Sequence, residues 1–197
     1  MKTKVILLTG LCALFSGVAA AQEVGDMKPG LWEVRALTMI EDGQDMMPLA
    51  MKAAQERMEH IAQMSPENRK ELEASLEVQG RDPSGDQTVR HHCVSPEMAK
   101  NASFFLIQRP AEVDCSPSKI NKDGNRTMFD ISCPLAGMQG TIHSKGETVM
   151  ASEQGRGKIE VVMTKNGVRH TMQAEVEMKF LASDCRSLEP LDQRMKK

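Results

Sequence analysis

The sequence predicts an α+β protein of mostly antiparallel β structure, whose strands curl into a barrel-like sheet or fold into a sandwich, with a helical pair inserted after the first strand. Three observations predict it. From the Cys115 hairpin onward the chain is strand-like, a stripe of apolar residues at spacings of three and four follows the first strand, and the cysteines are placed to act as covalent staples.

Met1-Lys2-Thr3-Lys4 is cationic and runs into the apolar stretch Val5 to Ala21, which closes on Ala19-Ala20-Ala21, the pattern of a secretory signal peptide over residues 1–21. Its apolar core falls short of the ~20 residues that span a bilayer, so no stable membrane insertion is expected. Cys12 belongs to the discarded segment, because Leu11 stands where lipid attachment requires a small residue. The 197 residues carry 25 Lys and Arg against 27 Asp and Glu, and Lys2 and Lys4 leave with the signal. A mildly acidic remainder without a basic run gives no electrostatic footprint for nucleic acid. We therefore expect a periplasmic protein with one disulfide-bonded, β-rich domain over 22–186 and a polar tail over 187–197 that frays.

Strand one runs from Leu31 to Ile40 between Lys28-Pro29-Gly30 and Glu41-Asp42-Gly43, with Trp32, Val34, Ala36 and Thr38 on one face and Glu33 and Arg35 on the other. A helical insertion over about 46–79 follows. Met47, Met51, Ala54, Met58 and Ile61 form a stripe on its first helix, Pro48 fits only the first turn, and Ser65-Pro66-Glu67 supplies the cap and first turn of a second helix reaching about Val78. Strand two, near Gln87 to Val94, is followed by another helix start at Ser95-Pro96-Glu97. Asn101 to Pro110 is apolar without a clear period, and its state stays open.

Beyond it the chain reads as hairpins. Lys122-Asp123-Gly124-Asn125 is a turn, and a three-residue loop centred on Gly124 sets Cys115 opposite Cys133. Gly140 to Lys145 and Thr148 to Ser152 suggest a further hairpin around Lys145-Gly146-Glu147. Asn166-Gly167 suits a two-residue type I′ loop, which sets Ile159 opposite Ala174, Val161 opposite Met172 and Met163 opposite His170. The last strand then carries Val168, His170, Met172, Ala174, Val176, Met178 and Phe180 on a core face and charged or polar residues on a wet one.

Four cysteines remain in a chain sent to an oxidising space, so two disulfides are expected. The facing pair Cys115–Cys133 leaves Cys93 with Cys185. The intervals between the four do not suit the Cys-x₂₋₄-Cys pairs of zinc sites, and no metal is expected there. The methionine content together with His60, His91 and His92 has the ligand types of a copper site, but adjacent strand histidines point to opposite faces and the methionines fit core or helix-seam positions. No nucleophile elbow, phosphate loop, dinucleotide fingerprint or zinc-protease helix is present, so neither enzyme activity nor a cofactor is expected. The Asn-x-Ser/Thr matches at Asn101 and Asn125 are taken as chance.

Lys28-Pro29-Gly30-Leu31-Trp32-Glu33, the Met-bearing helix followed by Ser65-Pro66-Glu67-Asn68-Arg69, the segment Cys93-Val94-Ser95-Pro96-Glu97 and the closing Asp184-Cys185 together resemble the domain of unknown function family 3617, small exported bacterial proteins. The resemblance implies export and the fold, and assigns no activity. Where that family often has aromatic residues in its last strands, this chain has methionine and histidine.

The function these features suggest is a periplasmic binding module for a small apolar or lipid-like ligand, with the Met-rich helical pair as an adaptable lid over the sheet. Met47, Met51 and Met58, together with Trp32, are the expected ligand or partner surface, although Trp32, the only tryptophan, is first of all expected as a core anchor. The alternative is a protein-interaction or envelope-quality-control factor whose helical pair docks another envelope protein.

Overall fold

Assembly of the sheet is organised by β1 (Gly30–Glu41), which the computed structural model pairs along both edges; the structure describes residues 27–100, 115, 118–135 and 139–194. The expected signal peptide and the stretch from Asn101 to Pro110 lie outside the described residues. One edge of β1 pairs with β8 (Val168–Ala182), and the other is shared by β2 (Gln44–Asp45) and β3 (Val89–Val94). From β8 the sheet continues through β7 (Gln154–Lys165), β6 (Gly140–Met150) and β5 (Arg126–Pro134) to β4 (Ser118–Asp123), every neighbour antiparallel. The helices are α1 (Met47–Ala62), α2 (Pro66–Val78), α3 (Pro96–Ala99) and α4 (Leu191–Arg194). This is a single eight-stranded sheet left open, with β4 at one margin and β2 and β3 at the other. Neither of the closures that the strand pattern allows is completed.

Hairpin chemistry fixes the long strands. Asn166 and Gly167 both take positive φ, 51° and 79°, and Ile159 pairs with Ala174, Val161 with Met172 and Met163 with His170, the register that an Asn-Gly turn dictates. Two expectations are corrected. The β4–β5 turn is a two-residue loop, Gly124–Asn125, with Asp123 opposite Arg126, so the ladder is one residue out of the expected register and the Cys115–Cys133 disulfide forms beyond its end, at a Cα separation of 4.1 Å. Gly146 makes no turn at all. It lies inside the continuous strand β6, opposite Phe129, because a Cβ there would stand 2.7 Å from the Phe129 ring and 2.2 Å from the Lys158 carbonyl oxygen. A glycine read as a loop signal is in fact a seat for an aromatic ring. The hairpin bend falls instead at 151–153, closed by the Ala151 N–H donating to the Gln154 carbonyl at 2.8 Å.

Two irregularities shape β1 and β8. Ala36 faces Val176 while Thr38 faces Glu175, which leaves Leu37 as an extra residue on β1; Leu31 faces Ala182 while Trp32 faces Phe180, which leaves Leu181 as an extra residue on β8. Because of the first bulge Thr38 leaves the face of Trp32, Val34 and Ala36, where strict alternation had placed it.

The main core lies on that face. Trp32 is 0% exposed, and it packs with Met27, Val94, Met98, Ala99, Met150 and Met178. Its indole N–H donates to the Lys28 carbonyl at 2.8 Å, and the Phe180 ring meets it edge-on at 5.7 Å between centroids. The cover is α3, whose cap is the Ser95 hydroxyl accepting from the Met98 N–H at 3.1 Å. A second cluster of Leu31, Cys93 and Leu188 surrounds the Cys93–Cys185 disulfide, and a third of Cys115, Phe129 and Ile131 surrounds Cys115–Cys133. The chain after Cys185, expected to fray, is docked over its described residues up to 194: Leu188 is buried, Pro190 bridges to Cys93, and the Ser95 hydroxyl lies 3.2 Å from the Asp192 carboxylate.

The helical pair is not a lid. No residue of α1 or α2 enters any of the three clusters. After α2 the chain at Gly80 and Arg81 runs along the outer edge of β3, with the His91 N–H donating to the Gly80 carbonyl at 2.7 Å and Arg81 bridged to Arg90, so the pair hangs on that edge. The physical reason is a narrow apolar stripe: only Ala54 and Ile61 of α1 and Leu76 of α2 are buried.

The disulfides span 92 and 18 residues. By the loop-entropy model, removing Cys93–Cys185 as the double serine variant costs about 1.5 kcal/mol more than removing Cys115–Cys133. Urea unfolding of the two variants measures this, and equal losses would contradict it.

Candidate functional site

The two faces of the sheet differ in how completely they are covered. Along the core face of β8, Met178 is 0% exposed, Val176 and Ala174 are half-buried, Met172 is 38% and Val168 is 56% exposed. Apolar character thus continues past the point where packing stops.

The wet face carries two depressions. One is a trough of about 650 Å³ running across five strands, through Thr38 and Ile40 of β1, Gln173 and Glu175 of β8, Lys158 and Glu160 of β7, Lys145 and Glu147 of β6, and Met128 and Asp130 of β5. These ten alternate along their strands, so their side chains rise from the same face, with Phe129, Gly146, Ile159 and Ala174 between them in the lining, and the bulge at Leu37 is what turns Thr38 and Ile40 onto it. A neighbouring depression of about 600 Å³ is lined by Glu33, Arg35, Glu177 and Lys179 and by the bend at 151–153.

Charge on this face is internally matched. Lys158 donates to Glu175 at 2.7 Å, Lys145 to Glu160 at 3.1 Å, and Arg156 to Glu177 at 3.5 Å, each between residues directly opposite in the ladder. Arg126 reaches Glu147, and His143 Nε2 lies 2.7 Å from Asp130. The hydrogen bond to Glu175 and then its charge hold the Lys158 amine above the ordinary lysine value against the opposing effect of burial, with a lesser contribution from Glu147. With its ion pairs satisfied across the strands, the trough presents two unmatched features, the apolar side chains of Ile40 and Met128, the latter 39% exposed. Such a surface suits the apolar part of a ligand better than an isolated ion.

Neither the helix methionines nor Trp32 lies in this trough. Trp32 is sealed in the core, Met47 is half-buried, and Met51 and Met58 stand 62% and 41% exposed on α1, so the structure does not bring the four together. All four expected cysteines form the two expected bonds. His91 lies opposite Glu33 and His92 opposite Trp32, on opposite faces of β3. His170 Nδ1 lies 2.9 Å from Asp42, whose carboxyl is held below the ordinary value chiefly by the Thr171 N–H and then by His170. Among the described residues no three His, Cys, Asp or Glu side chains converge as metal ligands, and no helix is long and apolar enough to cross a membrane. The trough was missed in the sequence because it is assembled from five strands; its one signal was the repeated charge-x-charge spacing at 145 and 147 and at 158 and 160.

The class of protein is therefore an open antiparallel sheet stapled by two disulfides, with a core at one end and a charge-paired trough on the opposite face. The chain belongs to the family described as Protein of unknown function (DUF3617), whose model matches residues 27–185. It is similar to an uncharacterized protein in the lpd-3 5'region of Pseudomonas putida, 29% identical over 136 residues that cover 69% of this chain and 87% of that one. No solved structure matches.

If Glu175 holds the Lys158 amine protonated, Glu175→Gln brings Lys158 back toward ordinary lysine behaviour. Its acylation rate at about pH 9 to 10 should rise relative to that of Lys52, a lysine of α1 remote from the trough. Peptide mapping after timed labelling reads both rates, and an unchanged ratio would show that the pair does not operate in solution.

Proposed function

We propose that the protein is an exported envelope protein, periplasmic in a bacterial cell, that binds a small apolar or lipid-like ligand in the trough across β1, β8, β7, β6 and β5. The observation that carries the reading is the coincidence of a ligand-sized depression of about 650 Å³ with charges already paired around Ile40 and Met128. Volumes of this order are typical of small-molecule sites. Two disulfides support the oxidising compartment. The site has no helical lid, so a ligand held here lies along the sheet. Titration with N-phenyl-1-naphthylamine, a dye that brightens in apolar surroundings, tests this. The oxidised protein should bind it, and the double variant Ile40→Asp, Met128→Asp should bind at least about tenfold more weakly while the Trp32 emission, reporting the distant core, stays unchanged. Equal binding by both proteins excludes the trough.

A second reading is favoured by one observation. Met51 and Met58 are exposed on a helical pair that projects from the β3 edge and contributes nothing to the core clusters. In this reading α1 docks a helix of another envelope protein through that side. Photo-cross-linking from position 51 in cells should then yield an intermolecular adduct that Met58→Glu abolishes, and adducts confined to the same chain would reject it.

A further inference from the structure

Every pair of charged residues that stand directly opposite each other in the described strand ladders is of opposite sign: Glu33 with Lys179, Arg35 with Glu177, Lys119 with Asp130, Asp123 with Arg126, and onward through Lys145–Glu160, Lys158–Glu175 and Arg156–Glu177. The rule breaks once. The isolated bridge at the outer edge of β3 sets Arg81 directly opposite Arg90. Like charges facing each other across a ladder are destabilising, so a sheet that elsewhere matches its charges leaves this one repulsion standing.

A third cation joins them. Gly85, at φ +90°, has no side chain, and a Cβ there would lie 2.9 Å from Cγ and Cδ of Arg57; the Arg57 stem therefore crosses the loop over this glycine. Arg57, Arg81 and Arg90 line one cleft of about 120 Å³ between α1, the loop after α2 and β3. At about 30 Å³ per water, that volume accommodates one tetrahedral oxyanion with a water or two. The acids of the same cleft are committed elsewhere. Asp82 accepts from the N–H and hydroxyl of Ser84 within its own turn, and Asp86 accepts from the N–H and hydroxyl of Thr88 and from Arg35 at 3.2 Å. Among the described residues none of the three arginines is ion-paired with a carboxylate, and Arg90 spends one N–H on the Val89 carbonyl at 3.0 Å. Burial first, and then Arg81 and Arg57, push the Arg90 guanidinium below its ordinary value against the pull of Asp86.

We propose that this cleft is a binding site for a phosphate-like oxyanion, held by Arg57, Arg81 and Arg90. Guanidinium forks match tetrahedral oxyanions in geometry as well as charge, and a bound dianion turns the Arg81–Arg90 repulsion into a shared attraction. The site is independent of the trough on the wet face of the sheet. Its occupant is either a free phosphate group or the phosphate head of a lipid, which present the same chemistry to the cleft.

The test uses the full oxidised protein. In buffer without multivalent anions, 10 mM inorganic phosphate should raise the thermal midpoint by about 2–4 °C and shift the amide resonances of residues 81–90. Arg81→Gln should melt no lower than the parent without phosphate, since it removes a repulsion, and should lose the increment; Lys52→Gln, which removes a cation of α1 outside the cleft, should keep it. Vesicles of phosphatidylcholine with and without phosphatidic acid separate the sources: retention on phosphatidic acid that Arg81→Gln abolishes assigns a lipid head, and a phosphate response without retention assigns a free phosphate. Absence of both responses, or increments equal in the parent and Arg81→Gln, overturns the proposal.

Discussion

The buried indole of Trp32 is the interaction on which the remainder of the structure depends. Four parts of the chain meet on it: the entry segment through Met27 and the Lys28 carbonyl, β8 through Met178 and Phe180, the β6 end through Met150, and α3 through Met98 and Ala99. A cavity left by a buried aromatic costs about 3–5 kcal/mol, against a whole-domain stability of about 5–15 kcal/mol. The only tryptophan therefore serves cohesion, and the surface chemistry of the protein has to be sought away from it. The Cys93–Cys185 bond reinforces the same end of the molecule, tying β3 to the segment after β8.

Elements governed by local rules were legible in the sequence. The Asn166-Gly167 turn fixed the β7–β8 register residue by residue, and Ser65 and Ser95 capped the helices that their sequences announced. What was not legible depended on distant partners. Gly146 reads as a turn until Phe129 is seen above it, and Leu37 reads as one more residue of alternation until β8 shows that it has no counterpart. The tail after Cys185 reads as polar because an isolated apolar residue such as the buried Leu188 leaves no period to detect. The helical pair was legible as two helices but not in its position, since an amphipathic stripe states that a face is covered without naming what covers it.

The candidate sites follow the same division. Methionines of α1 were visible as a stripe, yet the trough arises from rows that cross strands and the arginine cleft from a helix, a loop and a strand edge, which a reading along the chain cannot assemble. Charge makes the contrast between them. The trough joins residues whose charges cancel in pairs and leaves Ile40 and Met128 as its distinctive groups, whereas the cleft gathers three cations beside acids engaged by Ser84, Thr88 and Arg35. One surface therefore has its charges paired across the strands and the other gathers like charges, and they occupy separate parts of the fold.

The extra residue at Leu37 has a consequence for how this fold tolerates change. It works as a frameshift within β1: residues before it serve the sealed interior in one phase, and residues after it serve the opposite surface in the other phase. A substitution at Thr38 or Ile40 therefore changes the outer surface without touching the packing around Trp32 and Val34, so a single strand divides its two halves between opposite sides of the sheet.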